Sequence, residues 1–285
     1  MRLIILAAVL FCLSATNAQQ YSKAIKEQIA RVETGLSENL VVDGKHSTLA
    51  ERMKHYNVKG ISIAVIDNYQ VIWAKAYGYA DVQEKRPMTT NTLFEPGSIS
   101  KSLNAVGLLL LAQQGKLDLY QDINQYLSTW KFPYDTVSHG KKITTAQLLS
   151  HTAGLGVHGF PGYDRDSAIA SVTEILDGLP PSNTEAVRSV AEPGLRQQYS
   201  GGGITISQKI LTDVTKQPYE QFMDENVFKP LGMTSSTYTQ PPAPDRFKNL
   251  ATGYKKDGTQ VPGKYHIYPE KAAAGLWTTP SDLCK

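Results

Sequence analysis

The stretch "FEPGSISKSLNAVGLLLLAQQGKL", residues 94–117, carries the reading of this chain. It sets Ser98 directly after Pro96-Gly97, at the mouth of a strongly apolar helix, with Lys101 three residues on. A serine in that place is by default a helix cap, since its hydroxyl can accept from the open N–H groups of the first turn. Lys101 adds a second reading. At i+3 its side chain shares a helix face with Ser98, so an amine can reach the hydroxyl. The helix start also offers backbone N–H groups and a positive dipole end to an oxyanion forming on a carbonyl attacked by Ser98. For Lys101 to act as a base its charged form must be disfavoured, and burial against "LLLLA" would contribute to that. Ser-x-x-Lys arises often by chance, so the rest of the chain has to decide.

Working outward, the near-continuous apolar run of residues 98–117 predicts a long, central helix buried on most sides, with Gly115 as its C-cap. Upstream, "GISIAVID" (residues 60–67) and "YQVIWAKAYGYA" (69–80) read as an antiparallel hairpin turning at Asp67-Asn68. Two strands do not make a stable sheet alone. "YSKAIKEQIARVETGLSENL" (21–40) has apolar residues at helical spacing and predicts an amphipathic helix. Downstream to about residue 240 the signals are helical, with Gly/Pro-rich joints: "TTAQLLSHTAGLG", "SVTEILDGLPP" and "GITISQKILTDVTKQPYEQFMDENVFKPLGM". "DINQYLSTWKFP" reads as a short helix and loop, and "TQPPAPDRF" as a linker. Thr279-Pro280-Ser281-Asp282 reads as the start of a helix.

Composition excludes several classes. With 285 residues, 41% hydrophobic and 19% charged, the chain is ordinary globular material and long enough for a sizeable core. The net charge of +3 is spread among mixed acids and bases, and no basic run is interleaved with aromatics, so a nucleic-acid partner is not expected. Met1-Arg2, the apolar "LIILAAVLFCL" and "SATNA" read as a secretory signal peptide over residues 1–18, with cleavage after Ala18. The apolar run falls short of the roughly 18–20 residues that span a bilayer, so no stable membrane anchor is expected after cleavage, and the protein is expected to be secreted or periplasmic. Cleavage would remove Cys12 and leave Cys284 as the single thiol, so no internal disulfide is expected.

Two further segments bear on the serine. In "PGLRQQYSGGGITI" (193–206) Tyr199 precedes three glycines that lead into a helix and keep the surface around the phenol open. In "LLSHTAGLG" (148–156) His151 stands next to Ser150 and Thr152, which invites a Ser-His-Asp reading. No G-x-S-x-G elbow occurs, and His151 is read instead as a loop residue whose ring holds the backbone. His151 and His158 lack a further ligand at metal spacing, so no zinc site is expected.

Taken in order, "FEPGSISKS", "LLSHTAGL", "PGLRQQYS", "ENVFKPLGMTSSTY" and "AAAGLWTTPSDL" resemble the serine β-lactamase and penicillin-binding-protein superfamily. The nearest branch is the class C β-lactamase-like serine hydrolases, which include esterases and D-aminopeptidase-type enzymes. The resemblance runs from about residue 60 to the last residue. It implies an α+β fold, an antiparallel sheet flanked by helices plus a mainly helical subdomain. It divides residues 19–285 into a first α/β part (19–97), a mainly helical part (98–260) and a return to the α/β part (261–285). Ser98 would be the acyl-forming nucleophile, Lys101 and Tyr199 would share its proton, and the Ser98 backbone N–H would be half of the oxyanion hole. No metal or organic cofactor is implied, and the partner is a small-molecule or peptide substrate; oligomeric state is not legible.

Two departures qualify this. The family's Tyr-x-Asn reads Tyr199-Ser200-Gly201 here, so the amide that would contact a substrate's polar group is absent, favouring an ester or peptide over a penicillin. The family's third motif, Lys-Thr-Gly or His-x-Gly on a downstream strand, does not occur before Lys285. The sequence therefore reads as a truncated or partial copy of a longer hydrolase, lacking the last strands of the sheet. Two functions stand against each other at this point. One is a secreted serine hydrolase acting through an acyl-enzyme on an ester, a β-lactam or a D-amino-acid peptide. The other is a non-catalytic relative that binds a peptidoglycan-like ligand or a partner protein.

Overall fold

The computed structural model describes residues 21–35 and 47–285, so the signal-peptide reading of residues 1–18 lies outside the described residues. The chain divides into two compact units, residues 1–52 and 53–285. In the first, helix α1 (Lys23–Thr34) realises the amphipathic stretch. Ser22 caps it by accepting from the Ile25 N–H and Gly35 is its C-cap, while residues 36–40 of the predicted stretch lie outside the described residues. Helix α2 (Leu49–His55) runs across the boundary between the units.

The second unit opens on a hairpin of β1 (Gly60–Asp67) and β2 (Gln70–Asp81), antiparallel, with Gly60 opposite Gly78 and Asp67 opposite Gln70. The turn residues are Asn68 and Tyr69, one step later than the sequence suggested. Both have positive φ (48° and 62°), as a two-residue hairpin loop with the twist of its strands requires. A short strand β3 (Arg86–Pro87), not anticipated, pairs antiparallel with β2 and makes the sheet three-stranded, in the order β1-β2-β3. Trp73 of β2 is buried, whereas no residue of β1 is fully so.

The helical part is organised by α3 (Ser100–Gln113) and α6 (Gly201–Thr215). A turn of 3-10 helix, Gly97–Ile99, precedes α3, so the long helix begins two residues after Ser98. Gly115 (φ 68°) closes it in the left-handed conformation expected of a C-terminal glycine. Leu108 and Leu111 of α3 meet Ile204, Ile210 and Leu211 of α6 in the main core, joined by Met223, Phe228 and Tyr238. The helix is less enclosed than its sequence suggested, because Val106 and Leu109 are 42% and 50% exposed on its other side. Polar contacts lock the pair: Asn104 donates to Ser207 at 2.9 Å and accepts from the Tyr219 hydroxyl at 3.1 Å.

Shorter helices fill the frame. Helices α4 (Thr145–Leu149) and α5 (Val172–Asp177) each start with a capping box, Thr144/Gln147 and Ser171/Glu174. Helix α7 (Tyr219–Met223) runs through a π-helical turn into α8 (Lys229–Leu231). The linker-like segment contains a 3-10 turn over Pro244–Asn249. Helices α9 (Lys271–Ala274) and α10 (Pro280–Leu283) follow. Thr279 caps α10 through the Asp282 N–H, as the Thr-Pro-Ser-Asp pattern predicted. None of the helices among the described residues is long and apolar enough to cross a membrane.

Candidate active site

Ser98 is not a helix cap. Neither the 3-10 turn that holds it nor α3 receives a side-chain cap, and its Oγ is turned to two other partners. Gly97 makes this possible. Its φ of 54° lies in the left-handed region, and the backbone turns sharply enough there to present Ser98 exposed at the helix mouth. Ser100 secures the turn: its hydroxyl donates to the Gly97 carbonyl at 2.6 Å and accepts from the Leu276 N–H at 3.1 Å.

Lys101, one turn along, donates from Nζ to Ser98 Oγ at 3.0 Å and to the Ala273 carbonyl at 2.6 Å. Lys101 Nζ thus sits against a carbonyl of α9 rather than against the apolar run, of which Leu108 and Leu111 enter the core. Tyr199, the residue before α6's N-cap, donates from its hydroxyl to Ser98 Oγ at 2.7 Å. The Lys101 Nζ also lies over the Tyr199 ring, 5.2 Å from its centroid. Three residues from α3, its preceding turn and the start of α6 therefore meet at one oxygen. Burial pushes the Tyr199 phenol up. Hydrogen bonds with Lys101 and Ser98, together with the Lys101 charge, outweigh this and leave it below the ordinary tyrosine value.

Tyr199 is held by backbone contacts on each side. The Gln198 N–H donates to the His151 carbonyl at 2.7 Å, and the Ser200 N–H donates to His151 Nδ1 at 3.2 Å. The Ser200 hydroxyl donates to the Gly156 carbonyl and caps α6 by accepting from the Gly203 N–H at 2.9 Å. Glycines follow because the neighbouring loop sits on the helix start: a Cβ on Gly202 would meet Val187 Cγ2 at 2.7 Å. The reading of His151 as a ring that holds backbone is the arrangement observed. His151 has no direct bond to Ser98.

Other groups near the site were not foreseen. The Ala273 carbonyl is a main-chain acceptor, and nothing in "KAAAG" announces its aim. Glu95, three residues before Ser98, and Glu270, at the start of α9, bury carboxylate oxygens that lack hydrogen-bond partners among the described residues. Burial pushes Glu95 up to about 8, against a smaller opposing effect of the His266 N–H, and pushes Glu270 up to about 7. Their signal, a glutamate next to a proline (Pro96 after Glu95, Pro269 before Glu270), is common at surfaces too. Among the described residues no group of three or more His, Cys, Asp or Glu is gathered so as to hold a metal ion.

An α+β frame carrying serine, lysine and tyrosine on one oxygen defines a class in outline, and comparison with known proteins supplies the family. The family model described as Beta-lactamase matches residues 46–285. The protein flp of Staphylococcus aureus (strain N315) is 30% identical over 229 residues, covering 79% of this chain and 42% of that protein. Penicillin-binding protein 4* of Bacillus subtilis (strain 168) is 29% identical over 232 residues, covering 80% of this chain and 48% of its own length. The solved octameric penicillin-binding protein homologue from Pyrococcus abyssi superposes with a TM-score of 0.67 at 27% identity, over 83% of this chain and 53% of that one. The chain belongs to the beta-lactamase family, whose members are generally serine hydrolases. It spans about half the length of the curated relatives it matches.

Proposed function

We propose that this chain is a secreted serine hydrolase that forms an acyl-enzyme on Ser98 and acts on an ester, a β-lactam or a D-amino-acid peptide. The observation that carries the reading is the double approach to one hydroxyl: Lys101 Nζ at 3.0 Å and Tyr199 Oη at 2.7 Å from Ser98 Oγ. Both distances lie within the reach required of a base and its nucleophile. Hydrogen bonds with Lys101 and Ser98 hold the Tyr199 phenol below its ordinary value and so favour its phenolate; once its own proton has passed to solvent, that phenolate takes the Ser98 proton as Oγ bonds to the substrate carbonyl. The Ser98 backbone N–H stabilises the oxyanion. Collapse of that intermediate breaks the bond to the leaving group, which receives the proton from Tyr199 or Lys101. Water then attacks the acyl-enzyme by the same route in reverse.

The substrate side is argued from Gly201. With no amide at this position the site has less to offer a penicillin's polar side chain, which favours an ester or a D-amino-acid peptide. Penicillin binding in the names of two relatives keeps the β-lactam in the test. The test is turnover of a p-nitrophenyl ester, a D-Ala-D-Ala peptide and a penicillin by the full chain, with Ser98→Ala beside it. Hydrolysis of any of the three that vanishes in the variant supports the reading and names the class. Turnover equal in both chains, or none from a folded chain, contradicts it. Secretion is tested separately by N-terminal sequencing of exported material, which is expected to begin at Gln19.

A further inference from the structure

Tyr199 has two imidazoles packed on its ring. The His151 ring lies 4.3 Å from the phenol, centroid to centroid, at 33°, and the His158 ring lies 4.8 Å away at 43°. We propose that His151 and His158 are positioning residues that clamp Tyr199 against Ser98, and that the clamp opens when His151 takes up a proton. This rests on the reading of Ser98 as nucleophile and adds to it a regulating pair.

Four observations carry the clamp. First, His151 holds the main chain on both sides of Tyr199, through its carbonyl to Gln198 and its Nδ1 to Ser200, while its ring covers the phenol between them. Second, the loop that bears His158 is tied to the helix Tyr199 leads into. The Gly201 N–H donates to the His158 carbonyl, and the Gly202 N–H to the Val157 carbonyl, each at 3.0 Å. Third, both imidazoles are presented from backbone in the sparsely populated left-handed region, at His151 itself (φ 59°) and at Val157 (φ 56°), just before His158. A β-branched residue there is an outlier that surrounding structure must hold, and such outliers gather at functional sites. Fourth, a Cβ on Gly201 would stand 3.0 Å from the His158 carbonyl oxygen and 3.1 Å from Phe160 Cε2. A side chain at this position, such as the family's asparagine, would crowd the His158 loop that closes on Tyr199.

The proton sensitivity follows from the bond to Ser200. Nδ1 accepts from that N–H, so it carries no proton, and the ring's proton is assigned to Nε2. Protonation would turn Nδ1 into a donor facing a donor and break the bond. The titratable groups that face the ring are Lys101 from α3, His158 from the neighbouring loop and the Tyr199 phenol. Burial pushes the His151 imidazole down, and the charges of Lys101 and His158 push the same way, so the clamp stays shut at neutral pH. His158 is exposed.

The test measures the rate at which a fluorophosphonate labels Ser98, by intact mass, as pH is lowered from neutral. It compares the wild-type chain with His151→Asn, His158→Ala and His158→Phe. A second readout, independent of turnover, is the titration of Tyr199, taken as the ultraviolet difference between each chain and its Tyr199→Phe counterpart. His158→Ala is expected to slow labelling about 10- to 100-fold, the scale of a misplaced catalytic group. It should also move the Tyr199 titration up toward the ordinary tyrosine value, and His158→Phe, which keeps a ring, should recover most of both. His151→Asn, which keeps an acceptor but does not titrate, is expected to be slower and to lose the acid fall in rate that wild type shows below the ordinary histidine range. Parallel loss at every pH with an unmoved Tyr199 titration would mean a merely structural role and overturn the proposal. If wild type is not labelled, the hydrolase reading fails by itself. The Tyr199 titration then still decides the clamp, and an unmoved value in His158→Ala overturns it. Because His158 is exposed, its variants give that answer even where His151→Asn does not fold.

Discussion

Ser98 shows how one residue's meaning depends on what stands at i+3 and on a residue a hundred positions away. A hydroxyl at a helix start usually caps it, yet here the oxygen serves Lys101 and Tyr199 instead. Removing either partner is expected to cut acylation of Ser98 by about 10²–10⁴, the scale of a positioned acid or base, with little change in folding. The rate of phosphonate labelling in Tyr199→Phe and Lys101→Ala measures this. Gly97 is the other residue with a sharp expectation. A Cβ there would meet nothing within 4 Å, so the cost of Gly97→Ala is conformational alone. At φ 54° it is about 1–2 kcal/mol, read by denaturant titration. The Ser-x-x-Lys pair and Tyr199 were legible because their chemistry is carried by side-chain type. The Ala273 carbonyl was not, because a main-chain acceptor leaves no mark on residue identity.

Among the elements, α3 and α6 matter most, since α3 carries Lys101 and follows directly on the turn that holds Ser98, and α6 begins directly after Tyr199-Ser200. Their alignment is pinned by a buried polar link through Asn104, which serves Ser207 and Tyr219 together. Asn104→Ala would leave the buried Tyr219 hydroxyl without this acceptor, while Ser207 loses a donor but keeps its own bond to the Ile204 carbonyl. It is expected to cost about 1–3 kcal/mol in denaturant titration and to slow acylation along with it. Helical spacing and capping patterns made α4, α5, α6 and α10 readable, because each begins with a hydroxyl residue able to satisfy open N–H groups. The two-residue strand β3 was missed, since two residues are too few for an alternating pattern to register. The burial on most sides expected of α3 was met only in part, for a different reason. A run of leucines records preference for apolar surroundings, not which neighbours the topology supplies, and Val106 and Leu109 stay half open.

For the molecule as a whole, the buried carboxyls set a pH dependence. Glu95 and Glu270 are raised from 4.5 to about 8 and about 7, so the folded state holds their protons more tightly than the unfolded state does. Their contribution to stability is therefore fully present below the ordinary glutamate range and is lost as pH rises through about 7 to 8. Melting temperature is expected to fall across that window, and Glu95→Gln with Glu270→Gln to flatten the fall. An equal slope in the double variant would contradict this. The α+β class was legible in the amino-acid sequence, because a hairpin followed by a helical block with several motifs in order leaves few architectures open. Long-range pairings were not. The meeting of residues 98 and 199 at one oxygen depends on how α3 and α6 pack, which no local pattern encodes.

The most direct test of the central claim is peptide mapping of the full chain after incubation with a fluorophosphonate, beside a Ser98→Ala chain that is folded by circular dichroism. The account predicts a covalent adduct on the peptide carrying Ser98, formed in the first chain and absent from the second. An adduct elsewhere, or none at Ser98 in a folded chain, would contradict the claim that this serine is the nucleophile.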